Sequence, residues 1–105
     1  MSVLMTVRTA GDARKLEERA AQNPDGLRSI TERAKEHGLI AHRFYGNDDE
    51  ILVADEWPDP ESFQRFFESM RSEIEPLMRE VGATTEPEVT FWRKLDTQDD
   101  VGWGA

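Results

Sequence analysis

The segment spanning residues 50–78, EILVADEWPDPESFQRFFESMRSEIEPLM, constrains this chain more than any other. It reads as a strand, a sharp corner at Trp57-Pro58-Asp59-Pro60 and an aromatic-rich helix. Phe63, Phe66, Phe67, Met70, Ile74, Leu77, Met78 and Val81 recur at three-and-four spacing, which lays one wide apolar stripe along a helix. Asp59 followed by Pro60 is the order of a helix cap and first helical residue. Pro76 removes a backbone donor and crowds the preceding turn, so a break near residues 73–75 is expected, with a shorter helix over 76–81 closed by Gly82. Ile51, Leu52, Val53 and Ala54 are apolar at successive positions, so both faces of that strand should be covered.

The flanking chain supplies three more strands and two more helices. Residues 2–9 (SVLMTVRT), 39–46 (LIAHRFYG) and 88–95 (EVTFWRKL) are rich in β-branched and aromatic residues. Asp12 is a cap for a helix over 13–22, and Asn23-Pro24 starts a second helix over 24–37 with Leu27, Ile30, Ala34 and His37 inward and Gly38 closing it. Asn47-Asp48-Asp49 is a hairpin turn. The order is β-α-β-β-α-β, with each α split in two. It predicts an α+β, ferredoxin-like plan: a four-stranded antiparallel sheet with helices on one face. Both parities of the first strand (Val3, Met5, Val7; Leu4, Thr6) and of the last (Val89, Phe91; Thr90, Trp92) carry apolar groups, so the helix-free face should bury itself against a second copy, giving a homodimer through sheet faces. The domain is expected over 1–96, followed by a flexible acidic, Gly-containing tail over 97–105 in which Trp103 stands out.

Composition excludes several function classes. The 105 residues contain no cysteine, which removes disulfides, thiolate metal sites and cysteine nucleophiles. A formal charge of −9 without a basic stripe disfavours nucleic acid. No apolar run suits a membrane span and no secretion signal is visible, so a cytoplasmic protein is expected. No phosphate-binding glycine loop, nucleophile elbow or metal-ligand spacing is present, and two histidines without cysteine leave no expected metal. The 47–50 acidic run lacks the glycine and loop length of a calcium site.

The strand–corner–helix passage ILVADEWPDPESFQRFFES, the helix over 76–82 and the closing EVTFWRKL resemble the antibiotic biosynthesis monooxygenase-like family of the dimeric α+β barrel superfamily. The resemblance covers nearly the whole chain up to about residue 96, and its most specific part is the Trp that ends the third strand before a Pro/Asp corner. It implies a dimer whose sheets form a barrel and a small-molecule pocket in each subunit between sheet and helices. Known members of the family include cofactor-free monooxygenases of polycyclic aromatic phenols, haem-degrading enzymes, isomerases and decarboxylases. Trp57 matches the family's Trp. The His that follows on the helix in many relatives is Phe66 here, and the Asn used on the first strand or just upstream of the Trp is absent, with Thr6, Arg8 and Val53 at those places. These departures argue against haem, and no cofactor is expected.

Within the resemblance, the residue chemistry singles out a small set. His42 is the side chain whose titration suits neutral-pH acid–base work, with Phe44 on its own strand face; a structural or interface histidine is the competing account. Asp55 and Glu56 point to opposite faces, and Asp55 shares its face with Val53 and Trp57, where it could orient a substrate hydroxyl or His42. Trp57, Phe63 and Phe67 are candidate pocket walls, core packing being the plainer role. His37 near a helix C-terminus is explained by the helix dipole, and Arg43, Tyr45, Arg93 and Lys94 by interface ion pairs. The expected ligand is a small apolar or aromatic molecule, a phenol or enol. The expected activity is cofactor-independent monooxygenation with His42 as base. The alternative is a non-catalytic dimeric binding or accessory protein.

Overall fold

The computed structural model describes residues 1–83 and 86–103. The elements follow in the order β1 (Val3–Ala10), α1 (Ala13–Gln22), α2 (Pro24–Glu36), β2 (Ala41–Gly46), β3 (Glu50–Trp57), α3 (Pro60–Glu80) and β4 (Glu88–Arg93). The strands form one four-stranded sheet in the order β2-β3-β1-β4, every neighbouring pair antiparallel. This is the ferredoxin-like α+β plan.

Local chemistry sets the boundaries. The Asp12 carboxylate accepts from the Arg14 and Lys15 backbone amides at the start of α1. Asp59 accepts from both the Ser62 amide and the Ser62 hydroxyl, each at 2.8 Å, at the start of α3. Asn23 precedes Pro24 as expected, but its side chain makes no capping bond to α2. Asn47 Oδ1 accepts from the Asp49 and Glu50 amides, which closes the β2–β3 hairpin. Gly38, at φ 105°, takes the left-handed position after α2, and a β-carbon there would also meet Pro58 Cγ at 3.2 Å.

Pro76 does not break the last helix. α3 runs unbroken for 21 residues with Pro76 inside it. Pro76 lies on the exposed side while Leu77 and Val81 are buried. The apolar stripe against the sheet outweighs the lost backbone bond, whose orphaned carbonyl belongs to the exposed Ser72.

The antiparallel register divides the sheet by parity. Met5, Val7, Thr9, Ile51, Val53, Asp55 and Trp57 share the helix-facing side, and the main core joins Met5, Ala34, Trp57, Phe66 and Met70. Leu4 lies opposite Trp92, and Tyr45 opposite Leu52, on the other side. Among the described residues no helix covers that side, and Leu4, Tyr45 and Trp92 are each about half exposed. Trp92 Nε1 donates to Thr6 Oγ1 at 2.9 Å across it, and Arg8 grips Glu50 with two bonds at one end. Beyond β4 the chain is exposed through Trp103, with Lys94 paired to Asp100. Gly104 and Ala105 of the expected tail lie outside the described residues.

Candidate functional site

A cavity of about 500 Å³ lies between the helix-facing side of the sheet and helices α2 and α3, partly open to solvent. Ligand pockets span roughly 300–1,000 Å³, so the space suits a small organic molecule. Its floor is Met5, Val7 and Val53; Ile30 and Ala34 close it from α2, and Phe63, Phe66 and Phe67 from α3. The apolar stripes of these two helices thus line the hollow over the sheet. The rims of α3 add Glu75 and Arg79, with the more exposed side chains at the mouth.

Among the polar residues of the wall, His42 and Asp55 stand together. They face each other across the β2–β3 ladder, where His42 is the register partner of Asp55. His42 Nδ1 lies 2.6 Å from Asp55 Oδ1, and the Trp57 indole Nε1–H donates to Asp55 Oδ2 at 3.2 Å. Asp55 is only 6% exposed. A carboxylate so deeply placed needs donors, and these two supply one to each oxygen. With Asp55 as an ionised carboxylate, which only accepts, His42 Nδ1 is the donor in this contact. In the neutral form of that tautomer the lone pair is on Nε2, for which the described residues offer no hydrogen-bond partner. The His42 ring also meets Phe44 edge-on at 4.9 Å between centroids, which fixes its plane.

The sequence-derived candidates therefore separate. His42, Phe44, Asp55, Phe63 and Phe67 line the cavity, and Trp57 does not. Trp57 is fully buried, its ring 5.6 Å from Phe66 and 5.8 Å from Phe63, so it fills the corner between β3 and α3 behind the wall. The structure thus places it in the packing role weighed beside the pocket wall, and its N–H reaches Asp55 on the cavity wall. Phe66, at the position of the family's helix His, is a lining residue. Thr9, a wall residue that is 5% exposed, was not singled out by the sequence; its alternation with Met5 and Val7 along β1 was the available signal. The His42–Asp55 pairing was also within reach, because the hairpin at Asn47-Asp48-Asp49 pairs Gly46 with Ile51 and, counting outward, His42 with Asp55. Among the described residues, no cluster of three or more His, Asp or Glu side chains is arranged to hold a metal ion. No helix there is long and apolar enough to cross a membrane.

The fold is the class to which known proteins can be compared. No protein-family model matches the chain, and no curated protein sequence does. Solved structures match over almost its full length. The monooxygenase ActVA-Orf6 of Streptomyces coelicolor, solved in complex with Nanaomycin D, superposes with a TM-score of 0.66 at 16% identity, covering 90% of this chain and 88% of that one. A dimeric ferredoxin-like protein from an uncultured marine organism gives 0.61 at 17% identity, covering 90% and 89%. SnoaB, a cofactor-independent oxygenase from Streptomyces nogalater, gives 0.54 at 15% identity, covering 94% and 98%. The chain therefore has the ferredoxin-like fold of the antibiotic biosynthesis monooxygenase structures, and at these identities the likeness is one of fold.

Proposed function

We propose that this chain is a small-molecule enzyme of the cofactor-independent monooxygenase type. The observation that carries the proposal is an open, mostly apolar cavity with a carboxylate-held histidine on its wall. Had Phe63, Phe66 and Trp57 filled that space, an accessory protein would have been the better reading. The ligand is an electron-rich aromatic phenol or enol, held by the Phe63 and Phe67 walls. His42 Nε2 takes the proton that makes it electron-rich. O2 then adds to a ring carbon bearing a hydrogen, the resulting peroxide takes back a proton, and loss of water leaves a carbonyl. One oxygen atom stays in the product and the other leaves as water, the ligand being its own reductant. The protein contributes desolvation, orientation and one base. The monooxygenases among the structural neighbours support this reading.

A second reading is favoured by Phe66, which stands where many of the family's members carry a helix His: a binding or accessory protein that holds the ligand without turning it over. Oxygen uptake with hydroxylated polycyclic aromatics separates the two. Wild-type uptake that His42→Ala abolishes, with ligand quenching of Trp fluorescence retained, supports the enzyme. Saturable quenching without uptake supports the accessory protein, and uptake unchanged in His42→Ala removes His42 from its role.

The functional unit in this proposal is a homodimer through the uncovered sheet face. The apolar side chains Leu4, Tyr45 and Trp92 on that face, and the dimer named among the structural neighbours, support it. A cytoplasmic site of action belongs to the same proposal, since the fold owes nothing to disulfides.

A further inference from the structure

We infer that Trp57 and Asp55 act together as positioning residues that dictate which ring nitrogen of His42 is free for a ligand. The inference rests on the reading of His42 as the site's base and extends it to a residue outside the cavity. Asp55 has one oxygen on each of two donors: Oδ2 on the Trp57 indole N–H at 3.2 Å and Oδ1 on His42 Nδ1 at 2.6 Å. The indole is fully buried and wedged between Phe63 and Phe66, so its N–H has a fixed direction. Asp55 sits two residues before it on the same strand face, and its carboxylate cannot turn without orphaning that buried donor. With Oδ2 committed to Trp57, only Oδ1 is left for the imidazole. The ring therefore holds its hydrogen on Nδ1 and presents Nε2 as an acceptor. A ligand hydroxyl that gives up its proton places it on Nε2, forming an imidazolium whose Nδ1–H remains on the Asp55 carboxylate.

The arrangement makes an unusual demand on the isosteric variant. In Asp55→Asn the amide has one acceptor oxygen and one NH2, while both neighbours are donors. The Trp57 N–H cannot change roles and claims the oxygen, which turns the NH2 toward His42. Nδ1 must then accept, and the hydrogen moves to Nε2. Removing the indole donor as well lifts that constraint, so the amide can turn either group to the imidazole and both tautomers become available.

The test is the ring tautomer of His42 in ligand-free protein, read from two-bond proton–nitrogen correlations at a pH where the ring is neutral. Wild type should show Nδ1–H, Asp55→Asn should show Nε2–H, and Trp57→Phe combined with Asp55→Asn should lose that fixed Nε2–H form and populate both tautomers. An Asp55→Asn variant that keeps Nδ1–H overturns the inference, as does a wild type in the Nε2–H form. Should the double variant fail to fold, the single Asp55→Asn spectrum still decides. In the same variant, turnover of an accepted phenol should fall by about 10²-fold or more with ligand affinity retained, because Nε2–H cannot take a proton. The spectra do not depend on any reaction. If the tautomers behave as described and no hydroxylated aromatic binds, the positioning chain stands and the proposed function falls.

Discussion

Asp59 shows at the scale of one residue how this chain ties ionisation to structure. Its carboxyl is held below the ordinary value of 3.8, first by the Ser62 backbone N–H and then by the Ser62 hydroxyl, both of which donate to the ionised form. Glu50 is held below 4.5, chiefly by its hydrogen bond from Arg8 and then by one from Asn47. A carboxyl whose folded value is depressed stabilises the fold at pH above its unfolded value and loses that contribution as pH falls through the folded one. Both contributions should thus be complete at neutral pH and fade below about pH 4. Urea unfolding followed from about pH 6 to about pH 2 should show the wild type losing stability faster than Asp59→Asn, because asparagine caps a helix without titrating. Parallel curves would mean that the cap makes no ionisation-dependent contribution. The site's residues were partly legible in the same local terms: alternation along β3 put Asp55 and Trp57 on one face, and Asp59-Pro60 marked the start of α3. The separation between Trp57 and the cavity was not legible, since which side of an aromatic ring meets empty space depends on how α2 and α3 splay over the sheet.

At the scale of the element, α3 carries the largest conflict between sequence and structure. A proline after the residues 73–75 argues for a stop, and the stripe through Ile74, Leu77 and Val81 argues for continuation; burial of that stripe decides. Since Pro76 is exposed, Pro76→Ala should restore a helical bond at little cost in packing. We expect a gain of about 1–3 kcal/mol, the upper end being the intrinsic cost of proline in a helix interior. Thermal unfolding would then rise by several degrees; an unchanged or lowered midpoint would mean that α3 is bent there to fit the sheet. Gly46 poses the opposite case. A β-carbon added at Gly46 would lie 2.5 Å from Ala13 Cβ, which is fixed to the first turn of α1. Gly46→Ala should therefore push α1 off the end of β2 and lower the melting temperature, whereas Gly102→Ala, with nothing within 4 Å but a positive φ of 76° in the exposed tail, should leave the global midpoint unchanged. The Gly46–Ala13 approach could not be read from the sequence, because α1 and the end of β2 meet only once the crossover is closed.

Across the whole molecule, the sheet is finished on one side and unfinished on the other. Replacing Met70, 3% exposed at the centre of the core, by alanine should cost about 2–5 kcal/mol whatever the oligomeric state. Replacing Trp92 by glutamate should do something different if the proposed homodimer forms: sedimentation would shift from dimer to monomer, and the melting temperature would lose its dependence on protein concentration. A wild type that sediments as a monomer at all concentrations would remove the dimer. Fold class, strand number and the apolar character of both faces were available from hydropathy patterning, because periods of two and of about three and a half are properties of the chain itself. The hollow was not, because it is a mismatch between surfaces contributed by distant segments.

One consequence of the parity division concerns how such a protein can change. Along β1, Met5, Val7 and Thr9 belong to the hollow, while Leu4, Thr6 and Arg8 belong to the opposite surface. The two sets interleave residue by residue, and their side chains stand on opposite sides of the sheet. Point substitutions can therefore retune what the interior accepts or what the exterior meets, each without disturbing the other. Deleting or inserting one residue in that strand does the reverse, exchanging the two sets at once. The strand thus tolerates rewriting of its letters far better than any shift of its reading frame.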